Sequence, residues 1–483
     1  MKNMNSIIRI LVTGGILTPR YMQKVCSVAK KCGNKTISFG SRQDILFNVP
    51  RGQELFISQL LLNKNIPFEW KKESGETSQN IVTSYVANDI LKNTAWVNSG
   101  TYIQVLEDFS YAPKVQINIV DPKQKLVPLF SGNLNFVASE LDNYWFLFIK
   151  KKNDPQLYEW PVLIYGAQIA LVSNFLEPYL LKGQIEMASL FNQMNKTLEL
   201  TSINKRKNLE TTTEFAPYYE GINKMEGRKD YWAGFYWRNN NYTIEFIEHV
   251  CDLCFKTKIA KISITPWKSF LVKNIKEEDL IYWEQLIGSF GINMRHSSFD
   301  LFWHLPYGSK RAFKLKKYIV NQLDKVDIRT YGLTFSINWP EIPFTTIIIN
   351  SKPLLFGLFS QYEIWHARNF NADTHQYILF AGGLKKQDLA QSLITLSRKF
   401  YQKIEISSKK EVPNTNKDFE KIKVDQCGDC LQIYVEELGD ELNEIAPKTS
   451  FEKLPEAYCC PTCGSSKDAF NRIEINREMI FPN

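Results

Sequence analysis

The sequence predicts an α+β protein in which a duplicated αβ body precedes a small metal-stapled domain. Three observations carry this. A constant offset of 225 aligns two stretches of the first 300 residues. Two C-x2-C pairs fall within the last sixty residues. A polar segment around Pro413 with no apolar period separates the two regions, and it reads as a flexible tether.

The first copy begins with an apolar patch broken by Arg9. It lacks a small-residue cleavage site, so no export is expected. Its helix opens at Thr18 as N-cap with Pro19 at the first helical position, and Gly33 suits the end. An alternating strand, a short turn, a second strand and another helix follow. The second copy repeats this grammar. Its helix covers about Thr243 to Lys256, and the offset places Cys251 on Cys26, Ile262 and Ser263 on Ile37 and Ser38, and Trp267 on Arg42. A longer α+β stretch follows each copy. The expected divisions are 1–80 and 81–235 for the first copy, 236–310 and 311–403 for the second, 404–423 for the linker and 424–483 for the last domain.

With 483 residues and 44% hydrophobic content, the chain has ample material for a core. The best candidate for a membrane span, Leu163 to Leu181, is interrupted by Asn174 and Glu177, so no membrane association is expected. Together with reduced thiols this places the protein in the cytoplasm. The net charge of +8 is split: residues 424–483 carry 12 acidic and 5 basic side chains, a net of −7, and the rest carries +15. The lysines are scattered and not interleaved with aromatic residues, so nucleic acid is not expected as a partner. There is no P-loop, no nucleophile elbow and no dinucleotide fingerprint.

Chemistry concentrates at the C-terminus. Cys427-Gly-Asp-Cys430 and Cys460-Pro-Thr-Cys463 are knuckles that each aim two thiolates at one point, and together they close a tetrahedron. Four thiolates suit a single iron or zinc ion. Tyr434, Gly439-Asp440, Phe451, Leu454-Pro455, Tyr458, Gly464, Lys467 and Phe470 lie between and after them. With these residues in place the segment resembles rubredoxin. The resemblance implies a mononuclear FeS4 centre that carries one electron, packed against Tyr434, Phe451, Tyr458 and Phe470. Three positions depart from that family: Leu431 and Lys448 stand where it has glycine, and Tyr458 stands where it has tryptophan. The first two bear on backbone N–H bonds to sulfur. A structural zinc ribbon is the alternative for the same four cysteines. Cys459, next to a ligand on extended chain, points away and is not expected to be one.

In the body, Ile37-Ser-Phe-Gly-Ser41-Arg42-Gln43-Asp and Ile264-Thr265-Pro266-Trp267-Lys268 resemble the paired turns of the ferredoxin-like half-domains of nitrite and sulfite reductases. That family's second larger domain supplies four cysteines, spaced C-x5-C and C-x3-C, to a 4Fe-4S cluster bridged to sirohaem. Here no cysteine lies between Cys254 and Cys427, so the resemblance implies a degenerate body holding neither sirohaem nor 4Fe-4S. Arg42 is the cofactor-binding position carried over, since that turn's arginine faces the sirohaem pocket; an interdomain or surface salt bridge is the plain alternative. Lys268 is expected to be solvated. Cys251 and Cys254 fall inside a helix and, like Cys26, read as buried and inert. The five histidines read as core-edge or surface groups.

The resulting expectation is a one-electron carrier whose body serves as docking platform for a redox partner protein, a reductase or a donor; the oligomeric state is left open. The enzyme alternative keeps a tetrapyrrole in the body, fed by its own iron site. A zinc-stapled interaction protein is the third reading.

Overall fold

The structure, a computed structural model, describes residues 6–71, 80–151, 154, 156–183, 186–211, 217–326, 328–340, 342–354, 359–411, 421–477 and 480. It divides into two units, Met1–Phe400 and Tyr401–Asn483.

In the first unit the chain opens with β1 (Ser6–Ile10), β2 (Ile16–Leu17), α1 (Pro19–Lys31), β3 (Thr36–Phe39), β4 (Ile45–Val49), α2 (Glu54–Asn63) and β5 (Phe68–Trp70). Thr18 caps α1 by accepting from the Tyr21 N–H, Pro19 occupies its first turn, and Gly33 beyond its end has φ +76°. The strands pair antiparallel in the order β3-β4-β1-β5.

A larger sheet follows, built from β6 (Asn80–Thr83), α3 (Ser99–Glu107), β7 (Gln116–Val120), β8 (Leu134–Ala138), β9 (Tyr144–Lys150), β10 (Leu157–Glu159), β11 (Val162–Tyr165), α4 (Ile169–Lys182), α5 (Met187–Thr197) and β12 (Ser202–Asn204). Strands β6, β7 and β8 run parallel, and β9, β11 and β12 complete the sheet antiparallel. One face packs Trp145, Leu147, Ile149 and Ile164 under α3, α4 and α5. The other face carries Phe146, Phe148 and Leu163 into a core shared with the second copy. The span candidate Leu163–Leu181 is thus a strand and a helix, and no described helix is long and apolar enough to cross a membrane.

The second copy contains β13 (Gly221–Lys224), β14 (Tyr231–Tyr236), β15 (Tyr242–Thr243), α6 (Ile244–Lys256), β16 (Ile262–Ile264), β17 (Ser269–Ile275) and α7 (Leu280–Ser289). The 225 offset carries α1 onto α6, from first residue to last. It also carries β1 onto β14, which lies before the expected boundary at 236 and pairs with β17. The half-domain therefore starts earlier than the helix-based reading placed it, because the aromatic run YWAGFY, buried but for Tyr231, shows no alternation.

The two half-domains exchange strands. β15, from the second copy, pairs with β3 through Tyr242↔Ile37 and Thr243↔Thr36. β2, from the first, pairs with β16 through Leu17↔Ile262 and Ile16↔Ser263. Helices α1 and α6 pack together over one joint core containing Met22, Val25, Cys26, Val250, Cys251 and Cys254. The expected alternation in the central strands gives way to burial on both faces: Ser263, Ser269 and Leu271 are buried along with Ile262, Ile264 and Phe270. One face meets α1 and α6, and Leu271 enters the core shared with the larger sheet.

The last part of this unit comprises β18 (Trp303–His304), α8 (Lys310–Leu323), β19 (Phe335–Ile337), β20 (Ile347–Leu354), β21 (Phe359–Ala367), β22 (Tyr377–Leu384) and the first half of α9 (Leu389–Glu411), a helix whose last residues belong to the second unit. β18 precedes the expected start at 311. The ladder repeats the first larger sheet: parallel, parallel, antiparallel, antiparallel. The expected linker from 404 is helical as far as Glu411, since no proline or glycine interrupts 389–411. Its centre, 412–420 with Pro413, lies outside the described residues.

The second unit holds a three-stranded antiparallel sheet of β23 (Lys421–Cys427), β24 (Ile433–Tyr434) and β25 (Phe470–Asn476), in the order β24-β23-β25. Its core is small: Tyr434, Leu454 and Tyr458 are buried, with Ile445, Phe451 and Phe470 packed against them.

Candidate metal centre

A sixty-residue module with so small an apolar core needs a staple. The end of β23 supplies the first part. Cys427 closes the strand, its N–H donating to Gln432 O (2.8 Å) while Leu431 N–H donates back to Cys427 O (3.0 Å). The second knuckle repeats this geometry: Cys460 N–H donates to Ser465 O (2.8 Å) and Gly464 N–H to Cys460 O (2.8 Å). Thr462 Oγ1 donates to Gln432 Oε1 (3.0 Å), tying the knuckles together.

These turns bring Cys427, Cys430, Cys460 and Cys463 to one point, with all four Sγ atoms within 4.8 Å of one another. Cys427 Sγ lies 3.6 Å from Cys463 Sγ, and Cys430 Sγ 3.5 Å from Cys460 Sγ. A metal–sulfur bond of ~2.3 Å sets tetrahedral edges of roughly 3.8 Å. The four thiolates therefore fit a tetrahedral ion of iron or zinc size. Cys427 and Cys460 are buried, and Cys463 is exposed. Ser465 Oγ stands 3.0 Å from Cys463 Sγ and 2.6 Å from Asp429 Oδ2. Contact with that hydroxyl, and then with the Ser465 N–H, holds the Cys463 thiol down to about 6. Ser465, Asp429, Thr462 and Gln432 were not singled out in the sequence; the signal available was small polar residues at matching places around each knuckle.

Tyr434, Phe451, Tyr458 and Phe470 form one aromatic cluster, with ring centroids 5.1 to 6.2 Å apart. Tyr434 OH donates to Thr449 O (2.7 Å) and Tyr458 OH to Asp440 Oδ2 (2.8 Å). Leu431 and Lys448 both hold left-handed backbone, with φ of 66° and 64°. That conformation is the physical reason glycine suits both places. Cys459 is exposed and stands outside the four-sulfur group.

The predicted cofactor position in the body has a different setting. Arg42 is buried, and its guanidinium donates to Asn118 Oδ1 (2.6 Å), Asn80 O (2.9 Å), Ile117 O (3.0 Å) and Ser131 O (3.3 Å). All four acceptors belong to the larger sheet of the first copy and its loops. Its repeat partner Trp267 also docks on that region, donating Nε1–H to Leu126 O (2.8 Å).

Lys268 is not solvated. It is half-buried, its Nζ donates to Leu305 O (2.8 Å), and burial lowers its pKa to about 7. The turn carries it inward because the preceding Trp267 anchors the loop. Burial raises the thiols of Cys26 and Cys254 to about 12 and that of Cys32 to about 11, and Cys251 is raised as well. This is the behaviour of inert core cysteines. Of the histidines, His249 is exposed, His296 Nδ1 lies 2.7 Å from Glu220 Oε2, and His375 is buried against Phe130.

Comparison with known proteins agrees with this division. The family model described as Rubredoxin matches residues 425–470, and that described as Nitrite/Sulfite reductase ferredoxin-like half domain matches residues 2–55. Rubredoxin-2 of Chlorobaculum tepidum is 44% identical over 48 residues, which span 10% of this chain and 92% of the relative. Rubredoxin-1 of Pseudomonas putida is 48% identical over 44 residues, 9% of this chain and 25% of the relative, so the match spans only a quarter of that protein. Among solved structures, the Mycobacterium tuberculosis NirA protein superposes with a TM-score of 0.62 at 12% identity, covering 82% of this chain and 81% of that one. At that identity the likeness establishes the fold of the body.

Proposed function

Since the chain belongs to the rubredoxin family through its C-terminal domain, we propose that it is a one-electron carrier working with a redox partner protein, its NirA-like body serving as the docking platform. The observation that carries this reading is the tetrahedron of Cys427, Cys430, Cys460 and Cys463 sulfurs within a rubredoxin sequence. An iron ion held by four thiolates takes up and releases a single electron with little change of geometry. The chain's own residues would do the rest. The buried Cys427 and Cys460 and the aromatic cluster exclude water from the inner side of the site, while the exposed Cys463 leaves an edge open to a partner.

Two observations support a body that has given up multi-electron reduction. The interval from Cys254 to Cys427 contains no cysteine to hold a cluster. The Arg42 guanidinium, which would face a tetrapyrrole in the reductases, is bonded to four acceptors of the neighbouring sheet.

Metal analysis and an ultraviolet-visible spectrum of the full-length protein, expressed with ample iron, test the reading. One iron per chain, thiolate-to-iron absorption and a reversible one-electron couple are expected. Zinc alone would overturn it in favour of a stapled interaction protein. A Soret band after reconstitution with sirohaem would restore the enzyme reading.

A further inference from the structure

The larger sheet of the first copy has two unlike faces. Three helices seal one of them, under which Trp145, Leu147 and Ile164 are buried. On the other face, at the carboxyl ends of the parallel strands β7 and β8, residues 206–210 line a common space with Phe146 and Leu163. A cavity of about 320 Å³ remains there. This volume is within the range of small-molecule sites, and the carboxyl ends of parallel strands are where open α/β sheets bind ligands.

The composition of the cavity indicates what it takes. Its floor is apolar: Ala138, Phe146 and Leu163 are all buried. Its rim is charged. Lys207 Nζ lies 3.3 Å from Glu140 Oε2, so that pair is neutral overall. Lys123 and Arg206 are both exposed and both line the cavity; the buried Asp121 carboxylate accepts from the Lys123 backbone N–H and attracts its ammonium from beneath the rim, without a direct ion pair among the described residues. Glu210 stands on the same rim, so the side chains that line it, three cations and two carboxylates, carry one net positive charge. An apolar floor beneath two cations suits a ligand with an apolar body and an anionic end, and a guanidinium pairs most effectively with a planar oxyanion.

We infer that this cavity is a binding site for a small amphipathic carboxylate, with the apolar body on Phe146 and Leu163 and the carboxylate between Lys123 and Arg206. All its residues belong to the first unit, and the inference does not depend on the electron-transfer reading.

Calorimetric titration of the full-length protein with naphthoate, and with the neutral naphthamide, tests the inference. Naphthoate should bind one per chain, and the amide at least tenfold more weakly. The double variant Lys123→Glu/Arg206→Glu should lose at least tenfold in naphthoate affinity while melting with the wild-type body, since both side chains are exposed. Arg206→Gln gives a milder check that leaves the rim's charge less altered, and it should fall between the two. Equal binding of acid and amide, unchanged affinity in the charge-reversed variant, or no binding at millimolar naphthoate would each overturn the proposal. Naphthoate binding that survives Cys463→Ser is expected, and its loss there would also count against a site in the body.

Discussion

Gln43 and Lys268 stand 225 residues apart at the same place in the two copies, and both hold left-handed backbone, with φ of 57° and 61°. The shared conformation belongs to the turn, while the side chains have diverged. Gln43 is buried and donates its amide to Thr83 O (3.0 Å) and Ile264 O (2.9 Å), accepting in return from the Thr83 N–H (3.0 Å). One neutral amide thus clasps the larger sheet and the opposite half-domain. Lys268 carries a charge into the same kind of space, and among the described residues its Nζ donates to Leu305 O.

That difference predicts a pH dependence. Burial lowers the Lys268 pKa from 10.5 to about 7. Between these values the unfolded chain holds a proton that the folded chain has released, so stability rises with pH across the window. Below about pH 7 the folded state must bury the ammonium. The Lys268→Met protein should therefore be more stable than wild type at pH 6, with the advantage shrinking by up to about 2 kcal/mol by pH 9. Urea melts at both pH values check this; a pH-independent difference would contradict it.

Arg42 predicts a stability loss in the body alone. Replacing it by Met leaves Asn118 Oδ1 and the carbonyls of Asn80 and Ile117 buried without their donor. Unmet acceptors of this kind cost about 1–3 kcal/mol each, so a loss of roughly 3 kcal/mol or more is expected. Arg42→Lys should recover only part of it, because an ammonium cannot reproduce the planar fork. Denaturant unfolding followed by body tryptophans provides the measurement.

Leu431 predicts a gain. Its side chain is 65% exposed, so it contributes little burial, while its φ of 66° strains a residue with a Cβ. Leu431→Gly should stabilise the metal-loaded module by about 1 kcal/mol. Leu431→Ala, which keeps the Cβ, should not. Thermal melts monitored at the metal absorption distinguish the two.

Cys463→Ser predicts loss of the metal and unfolding of the second unit only. A structural tetrathiolate ion contributes on the order of 10 kcal/mol to a domain of this size, more than its small core can replace. Elemental analysis should show less than one metal per chain, and calorimetry should show the body transition unmoved.

Much of this arrangement was legible in local pattern. Thr18-Pro19 marked a helix start because a cap and a fixed φ act within one turn. The two knuckles marked the metal centre because the ligands of each pair are three residues apart and obey one tight-turn geometry. What escaped depends on distant partners. No local pattern marks β14 as the first strand of its copy, because its aromatic residues are buried on both sides. The burial of Lys268 follows from Trp267 docking on Leu126, 141 residues away along the chain. Nor could the polar segment after 404 reveal that it continues a helix, since polarity describes solvent exposure and not backbone conformation.

The reciprocal pairing of β2 with β16 and of β15 with β3 has a consequence for synthesis. When the first eighty residues leave the ribosome, β2 has no partner, and β3 is an open edge available to any extended segment. Both vacancies are filled only after residues 242–264 emerge. At translation speeds of about 5–20 residues per second this is a delay of roughly 10 to 40 s. The half-domain must wait with an unpaired edge for its own repeat, so for this interval the nascent chain offers an open strand to aggregation and a chaperone has something to cover.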